Sequence, residues 1–409
     1  MTVAILTTAR SDFGPLRRVI HLAADRFGVD LLVAGSHFLR SRGDTAQDVE
    51  REFGGHANVR ISRIPGMTED IASAHGQVRA IAETQLAASR WFKANPCDLL
   101  LFLGDRWELW GVTLPAFLHG VPLAHVSGGE VTEGVIDDSV RHSHTKLACL
   151  HFAAADAYAR NISRMGEEDW RISVVGECGL DAIHASDIAS VDEVRERFGV
   201  DLAKDTLLAS FHPSTLEVQA PVEAQVGAYL EALARFPDHQ VVFTAPGVEL
   251  GGDVVLAALR QFVAAHPNAR LVEHFPSRCY LAVLRAARVV VGNSSSGIVE
   301  AASFGVPAVN VGQRQKNRLA AESVQHVPCS TPDIEAAIRR ALSAGDQAFA
   351  RRCTNPYDPY RDGKNSQRIV DALERALTAV PRSQLRVKKF EPDVHPEQWN
   401  ALLKQAIPA

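Results

Sequence analysis

Short runs of consecutive apolar residues alternate along this chain with longer stretches in which apolar positions recur every three or four residues. VAILTT, VDLLVAG, CDLLLFLG, VPLAHVSG and ISVVGE are near-continuous apolar runs, each closing on glycine or polar residues. Such runs fit strands buried on both faces of a parallel sheet. Residues 14–26, 68–93 and 107–119 between them carry helical periodicity, and strand–helix alternation predicts a doubly wound α/β sheet. A second series starts near residue 206. TLLASFHP, HQVVFTAPG, ARLVEHFP, RVVVGNSSS and PAVNVG are its strands. VEAQVGAYLEALARF, DVVLAALRQFVAAH, RCYLAVLRAA and GIVEAASFG are its helices. The pattern therefore predicts two α/β domains, residues 1–180 and 181–362, joined around 180–205. Residues 363–380 read as one more amphipathic helix, and 381–409 as a polar, proline-punctuated tail that lies over the surface or is partly mobile.

Length and composition agree. A chain of 409 residues suits two or three domains at roughly 150 residues each. Its 46% hydrophobic and 22% charged content lets each half bury a core. The net charge of -5 provides no basic field to attract nucleic acid or a membrane surface. The six cysteines are scattered, with no CxxC pair or Cys/His ladder, so neither zinc nor a disulfide framework is expected. The first apolar run is too short for a signal sequence, and no window approaches the roughly 18 apolar residues of a membrane span. A cytoplasmic enzyme is the expectation.

Ligands of open α/β sheets bind beyond the carboxyl ends of the strands, so the loops there carry the chemistry. Arg10, in TTARSDFG, could fork onto a phosphate. Asp105, in GDRWE, is either a helix cap or an acid–base group. Three serines open GNSSSGIVE, where hydroxyls and free N–H groups would meet an anion. Glu300 comes one and a half turns later, within reach of a ribose. This is neither a Walker loop nor a GxGxxG turn. His212, in SFHPST, is a phosphate donor, a proton carrier or a structural histidine.

The stretch SGGEVTEGVIDD, followed by SVRHSHTK, places Glu130, Glu133, Asp137 and Asp138 close in sequence to Arg141, His142 and Lys146. A helix is expected to begin near Asp137. Surface ion pairs from Asp137 and Asp138 to Arg141 would account for those three residues. They would not account for Glu130, directly after two glycines at a strand end.

Together TTARSDFGPL, GDRWE, HVSGGEVTEGVIDDSVRHSHTK, FHPST, GNSSSGIVEAASFGVPAVNVGQRQKNR and NPYDPYRDGKNSQRI resemble, in order across roughly residues 3–375, the hydrolysing UDP-N-acetylglucosamine 2-epimerases. The resemblance implies two Rossmann-like domains facing a central cleft, as in GT-B glycosyltransferases, with the helix at 363–380 crossing back to the first domain. It implies UDP contacts from Arg10, Arg106, His212, Ser294, Ser295, Glu300 and Arg314, and from the Phe275 backbone to uracil. It implies acid–base roles for Asp105, for a carboxylate of the GGE loop and for Asp137. Many relatives carry Glu where this chain has Ser127, so Glu130 is the expected replacement, with Glu133 second. Pro15 stands where some relatives carry Lys.

The implied reaction takes a proton from C2 of the sugar as UDP leaves, adds water to the resulting glycal and returns a proton to the opposite face. It calls for two proton-carrying groups and no metal or redox cofactor. N-acetylmannosamine for sialic acid-type sugars is the expected product, and a homo-oligomer, dimer or tetramer, the expected assembly. The alternatives are the same reaction on nucleotide-linked N,N'-diacetylbacillosamine for legionaminic acid, a GT-B glycosyltransferase, or a nucleotide-sugar sensor without catalysis.

Overall fold

The computed structural model describes residues 1–39, 45–71, 73–133, 135–184, 188–214, 220–246, 251–273, 275–391 and 395–404. The chain forms two compact units. Met1–Glu130, Asp137–Asp181 and Tyr360–Ala409 make the first, and Val131–Ile136 with Ala182–Pro359 the second.

The first unit is built on strands β1 (Thr2–Thr7), β2 (Gly28–Val33), β3 (Val59–Arg63), β4 (Leu99–Leu103), β5 (Leu123–Val126), β6 (Leu150–Ala153) and β7 (Ile172–Val174). They form one seven-stranded parallel sheet in the order β3-β2-β1-β4-β5-β6-β7. Successive side chains of a strand face opposite sides. Val3, Ile5, Leu99 and Leu101 accordingly pack with Phe13, Leu16 and Val19 of the helix Arg10–Ala24. Ala4, Leu6, Leu100 and Phe102 pack on the other face with Ala88, Phe92, Val112 and Ala116. Strands β3 and β6 are absent from the sequence reading. β3, VRISR, is a half-exposed edge strand, and β6 is four residues long with a histidine inside.

The second unit holds β8 (Thr206–Ser210), β9 (Gln240–Thr244), β10 (Ala269–Val272), β11 (Val289–Gly292), β12 (Ala308–Val311) and β13 (Val324–Val327). These pair in parallel in the order β10-β9-β8-β11-β12-β13. Leu207, Ala209, Val241 and Phe243 enter one core, and Leu208, Val242 and Val290 the other. In each sheet the strand order reverses once, between β1 and β4 and between β8 and β11, which defines the crevice position of each.

The helix Asn365–Ala379 returns to the first unit, burying Ile369, Val370, Leu373 and Ala376 in its core. The buried Asp181 carboxylate accepts the first N–H groups of that helix, from Asn365 (2.9 Å) and Ser366 (2.7 Å). The reading of 381–409 as a surface tail is corrected by its apolar residues. Leu385 and Leu402 are buried in the same core, and Trp399 is buried with its indole N–H donating to Asp169 (2.9 Å). The buried Arg171 guanidinium donates to the carbonyls of Gln384, Leu385 and Val387.

Glu167, 1% exposed, fixes the tail electrostatically. It accepts from Lys388 Nζ (3.0 Å), His151 Nε2 (3.2 Å) and Lys146 Nζ. Burial alone would raise its carboxyl; the hydrogen bond from His151 and the charges of Lys388 and Lys146 outweigh that and hold it at about 2, against an ordinary 4.5. The folded-state value is depressed, so this stabilisation is fully present above the ordinary value and is lost as pH falls towards 2. Glu167→Ala, which leaves two lysines facing no carboxylate, is expected to lower the unfolding free energy by ~3 kcal/mol in urea denaturation. It should also expose residues 382–391 to protease at neutral pH.

Candidate active site

In the first unit, the residues singled out by sequence lie in the loops after β1, β4 and β5. Arg10 opens the helix after β1 and is exposed. The turn beneath it is shaped by buried Asp12, whose carboxylate accepts the N–H groups of Thr8 (2.9 Å) and Ala9 (3.3 Å). After β4, Arg106 pairs with buried Glu108, which also accepts from Ser36 Oγ (2.6 Å). Burial would lower the Arg106 guanidinium; the Glu108 charge reverses this and raises it, so Arg106 stays cationic.

The loop after β5 depends on backbone geometry. Ser127 adopts φ +60 and Gly129 φ +74. A Cβ on Gly129 would lie 2.4 Å from the Tyr158 carbonyl oxygen, so the second glycine is required for this turn. Glu130 follows it and is buried. Below the loop, His125 Nε2 donates to the Gly104 carbonyl (2.7 Å), and the ring stacks on Phe102. Burial holds His125 well below its ordinary value, as a neutral ring, so it braces the residue before Asp105 without adding charge.

The helix does begin at Asp137, running Asp137–Leu147, but the expected surface ion pairs at Arg141 are corrected. The Arg141 side chain is 2% exposed. Val140, Arg141, His144 and Thr145 form the buried face of this helix, a spacing visible in the sequence. Its guanidinium contacts the Asp105 carboxylate, donates to the Glu130 carbonyl (3.1 Å) and lies 3.7 Å from Asp138. Asp105 is 29% exposed, so its carboxylate is anchored on one side and open on the other. Asp137 is half-buried and close enough for its charge to raise Arg106. Asp105, Asp138 and the Glu130 carbonyl thus meet at Arg141, which sequence reasoning missed as a site residue.

Glu133 belongs to the second unit. It is exposed but partnered, accepting from Asn317 Nδ2 (2.6 Å) and lying 3.4 Å from Lys316 Nζ. Those contacts, the Asn317 hydrogen bond foremost, outweigh its slight desolvation and lower its carboxyl.

The other candidates of the second unit, Phe275 apart, lie after β8, β11 and β12, which are neighbours in its sheet. Asn293, another residue missed in the sequence, organises them. The His212 N–H donates to Asn293 Oδ1 (2.7 Å), and Asn293 Nδ2 donates back to the His212 carbonyl (2.8 Å). Arg314 (3.1 Å) and Gln315 (3.0 Å) donate to the Asn293 carbonyl. Gly292, at φ +138, lets the turn begin, since a Cβ there would sit 1.8 Å from the Ser210 carbonyl oxygen. The helix that follows is shorter than expected, Ser295–Val299, capped by Ser294. Glu300 therefore stands past its end rather than within it. Glu300 accepts from Ser296 Oγ, which also bonds the Tyr280 hydroxyl. Phe275, after β10, is buried against Phe198 and Tyr280. Thr215 of FHPST lies outside the described residues. No group of three or more His, Cys, Asp or Glu among the described residues is arranged to hold a metal ion. No helix among them is long and apolar enough to cross a membrane.

Comparisons with known proteins bear on the family and the fold. The family described as UDP-N-acetylglucosamine 2-epimerase matches residues 21–374. A Legionella pneumophila protein named UDP-N,N'-diacetylbacillosamine 2-epimerase (hydrolyzing) is 30% identical over 376 residues, 91% of this chain and 95% of its own. A Neisseria meningitidis UDP-N-acetylglucosamine 2-epimerase is 30% identical over 349 residues, covering 84% and 88%. The fold matches the crystal structure of Methanocaldococcus jannaschii UDP-GlcNAc 2-epimerase in complex with UDP-GlcNAc and UDP, at a TM-score of 0.72 and 15% identity, over 91% of this chain and 99% of that one.

Arg141→Lys keeps the charge but loses the planar fork that reaches two carboxylates and a carbonyl. It is expected to lower the unfolding free energy by ~2 kcal/mol, measured by urea denaturation.

Proposed function

The chain belongs to the UDP-N-acetylglucosamine 2-epimerase family, and we propose that it is a hydrolysing member, converting UDP-N-acetylglucosamine and water to N-acetylmannosamine and UDP for sialic acid-type sugar synthesis. The observation that carries this reading is the carboxylate of Asp105 and the backbone of Glu130 held by one buried guanidinium, Arg141, with Asp137 near enough to act on the adjacent Arg106. A glycosyltransferase or a sugar sensor has no need of several proton-carrying groups there.

In this reading the nucleotide is held by Arg10, Arg106, His212, Ser294, Ser295, Glu300 and Arg314, with Phe275 at the base. Cations and hydroxyls aimed at the diphosphate stabilise the charge that develops as UDP leaves. With the helix after Ser294 only five residues long, its dipole contributes little, so Arg314 and the serine hydroxyls carry more of that load. A carboxylate takes the C2 proton, the electron pair forms the C1–C2 double bond and the C1–O bond to UDP breaks. Water then adds its oxygen to C1 and gives up one proton to a carboxylate, and a proton returns to C2 from the opposite face. Asp105 and Asp137 are the proposed proton carriers, with Glu130 the third carboxylate and His212 assisting at the phosphate. None of these steps requires a metal or redox cofactor.

The names of two relatives bear on the sugar. The relatives from Legionella pneumophila and Campylobacter jejuni, 30% and 28% identical, are named for N,N'-diacetylbacillosamine substrates. That makes the bacillosamine sugar the second reading. We also propose a cytoplasmic homo-oligomer. All six cysteines are free thiols, as a reducing compartment maintains them. Leu114, Phe117 and Leu118 of Trp110–Leu118, and Val78 and Leu86 of Ala74–Ala94, are exposed on two helices that pack together.

Incubation with each UDP-sugar and no acceptor tests the reading. UDP plus N-acetylmannosamine supports it, UDP plus glucose-configured sugar indicates a transferase, and no turnover indicates a sensor. Asp105→Asn and Asp137→Asn should each lower kcat by ~100-fold or more. Glu130→Gln should lower solvent-deuterium incorporation at C2, while Glu133→Gln, tied to Lys316 and Asn317, should leave it intact. Arg314→Ala and Glu300→Ala should each weaken UDP binding about tenfold or more in titration calorimetry.

A further inference from the structure

The chain that returns to the first unit also reaches the helix that carries the candidate acid–base residues. Residues 385–391 bridge the loop 166–171 and the end of the helix Asp137–Leu147. On the loop, the Lys389 N–H donates to Glu168 Oε2 (3.1 Å) and the Glu391 N–H to the Gly166 carbonyl (3.0 Å). The Phe390 ring covers Gly166, where a Cβ would come within 2.3 Å of it, and Lys146 Nζ stands 5.4 Å from the ring centre. At the helix end the contact is made by Lys388. Its Nζ donates to the Lys146 carbonyl (2.6 Å), the Ala148 carbonyl (2.7 Å) and the Glu167 carboxylate (3.0 Å). Three donors meet three acceptors, and the side chain is 19% exposed. Glu167 also accepts from Lys146 and His151. Balancing that carboxylate therefore does not by itself account for a lysine that gives up most of its hydration to reach two helix-end carbonyls.

The last carbonyls of a helix have no partner further along it, and the dipole makes that end negative. An ammonium placed there satisfies both. This helix begins at Asp137, and its Arg141 holds the Asp105 carboxylate and the Glu130 carbonyl. Lys146 is nine residues beyond Asp137, ~14 Å along the axis. The helix is thus fixed in its middle through Arg141 and at its end through Lys388. It is a stiff rod, so a shift at the end is felt at the start.

We propose that Lys388 is a positioning residue for the reaction: by capping this helix, the returning chain sets where Asp137 and the Arg141–Asp105 pair stand. This rests on the epimerase reading above. A lysine that only stitched the tail to the surface would stabilise the fold and leave turnover of the folded enzyme alone. Displacing reacting groups by ~1 Å can cost ~100-fold in rate, so loosening the far end of the helix registers in kcat.

The test uses the full-length enzyme with UDP-N-acetylglucosamine and UDP-N,N'-diacetylbacillosamine, at a temperature where circular dichroism shows each variant folded. Lys388→Met keeps the aliphatic stem and removes the three donors. It should lower kcat by ~10-fold or more, with UDP affinity in titration calorimetry within twofold of wild type. Amide hydrogen exchange across residues 141–147 should quicken. Lys388→Arg, which keeps charged donors, should recover part of the kcat. Leu402→Ala is the comparison, because it opens the core under the same tail without touching the helix end. It should lose stability in urea and keep kcat within twofold. Lys388→Met with Glu167→Gln removes the charge imbalance as well; it should regain stability over Lys388→Met but not kcat, and it carries the kcat comparison if the single variant does not fold. A kcat loss under fivefold on removing Lys388, with wild type active, overturns the proposal and leaves the epimerase reading standing. Equal kcat losses on removing Lys388 and in Leu402→Ala assign Lys388 to the fold alone and also overturn it. Wild type inactive on both sugars overturns the epimerase reading and this proposal with it.

Discussion

A guanidinium buried in a protein interior has to be surrounded by acceptors, because removing it from water costs several kcal/mol that only close partners offset. Arg141 is that group in the first unit. Its partners come from the ends of two strands and from its own helix: the Asp105 carboxylate, the Glu130 carbonyl and Asp138. Because those partners cannot leave without stranding the charge, the loops after β4 and β5 and the start of Asp137–Leu147 are held in one arrangement. The glycine turn before Glu130 and the neutral His125 under Gly104 follow from the same requirement. They let the backbone approach the guanidinium without placing a second charge beside it.

The second unit solves an equivalent problem with an amide in place of a cation. Asn293 closes a pair of hydrogen bonds with the His212 peptide and offers its own carbonyl to Arg314 and Gln315. Three loops on three adjacent strands are joined through one residue, by its side chain and its backbone carbonyl. An amide suits this position because it both donates and accepts and adds no charge of its own. The cationic character of the loops then rests with Arg314.

The strands buried on both faces were legible in the sequence because nothing but apolar residues can occupy them: VAILT, DLLV, LLLFL and VVV are all strands in the structure. β3 was not, since an edge strand that is half solvated keeps no such run, nor was β6, a four-residue strand whose His151 bonds Glu167 through Nε2. Asp105, Glu130, Ser294 and Arg314 were legible as polar residues following apolar runs. Their organisers were not. Arg141 is 36 positions from Asp105, and Asn293 is 81 from His212, so their meaning lies in contacts that local pattern does not carry. The tail misled the reading because its few apolar residues, Leu385, Trp399 and Leu402, are spaced among charges and are buried one at a time.

That return of the chain has a consequence for synthesis. The core of the first unit contains Ile5 and Leu101 near the beginning and Leu373, Leu385 and Leu402 near the end. A ribosome delivers them far apart in time, and domains generally fold as their residues emerge. The N-terminal sheet therefore waits, with one face incompletely covered, while residues 182–359 emerge and can complete nearly all of their own unit. The part of the protein made first is the part finished last, and in that interval the uncovered face of the helix Arg10–Ala24, not the edge of either sheet, is the surface a chaperone would have to shield.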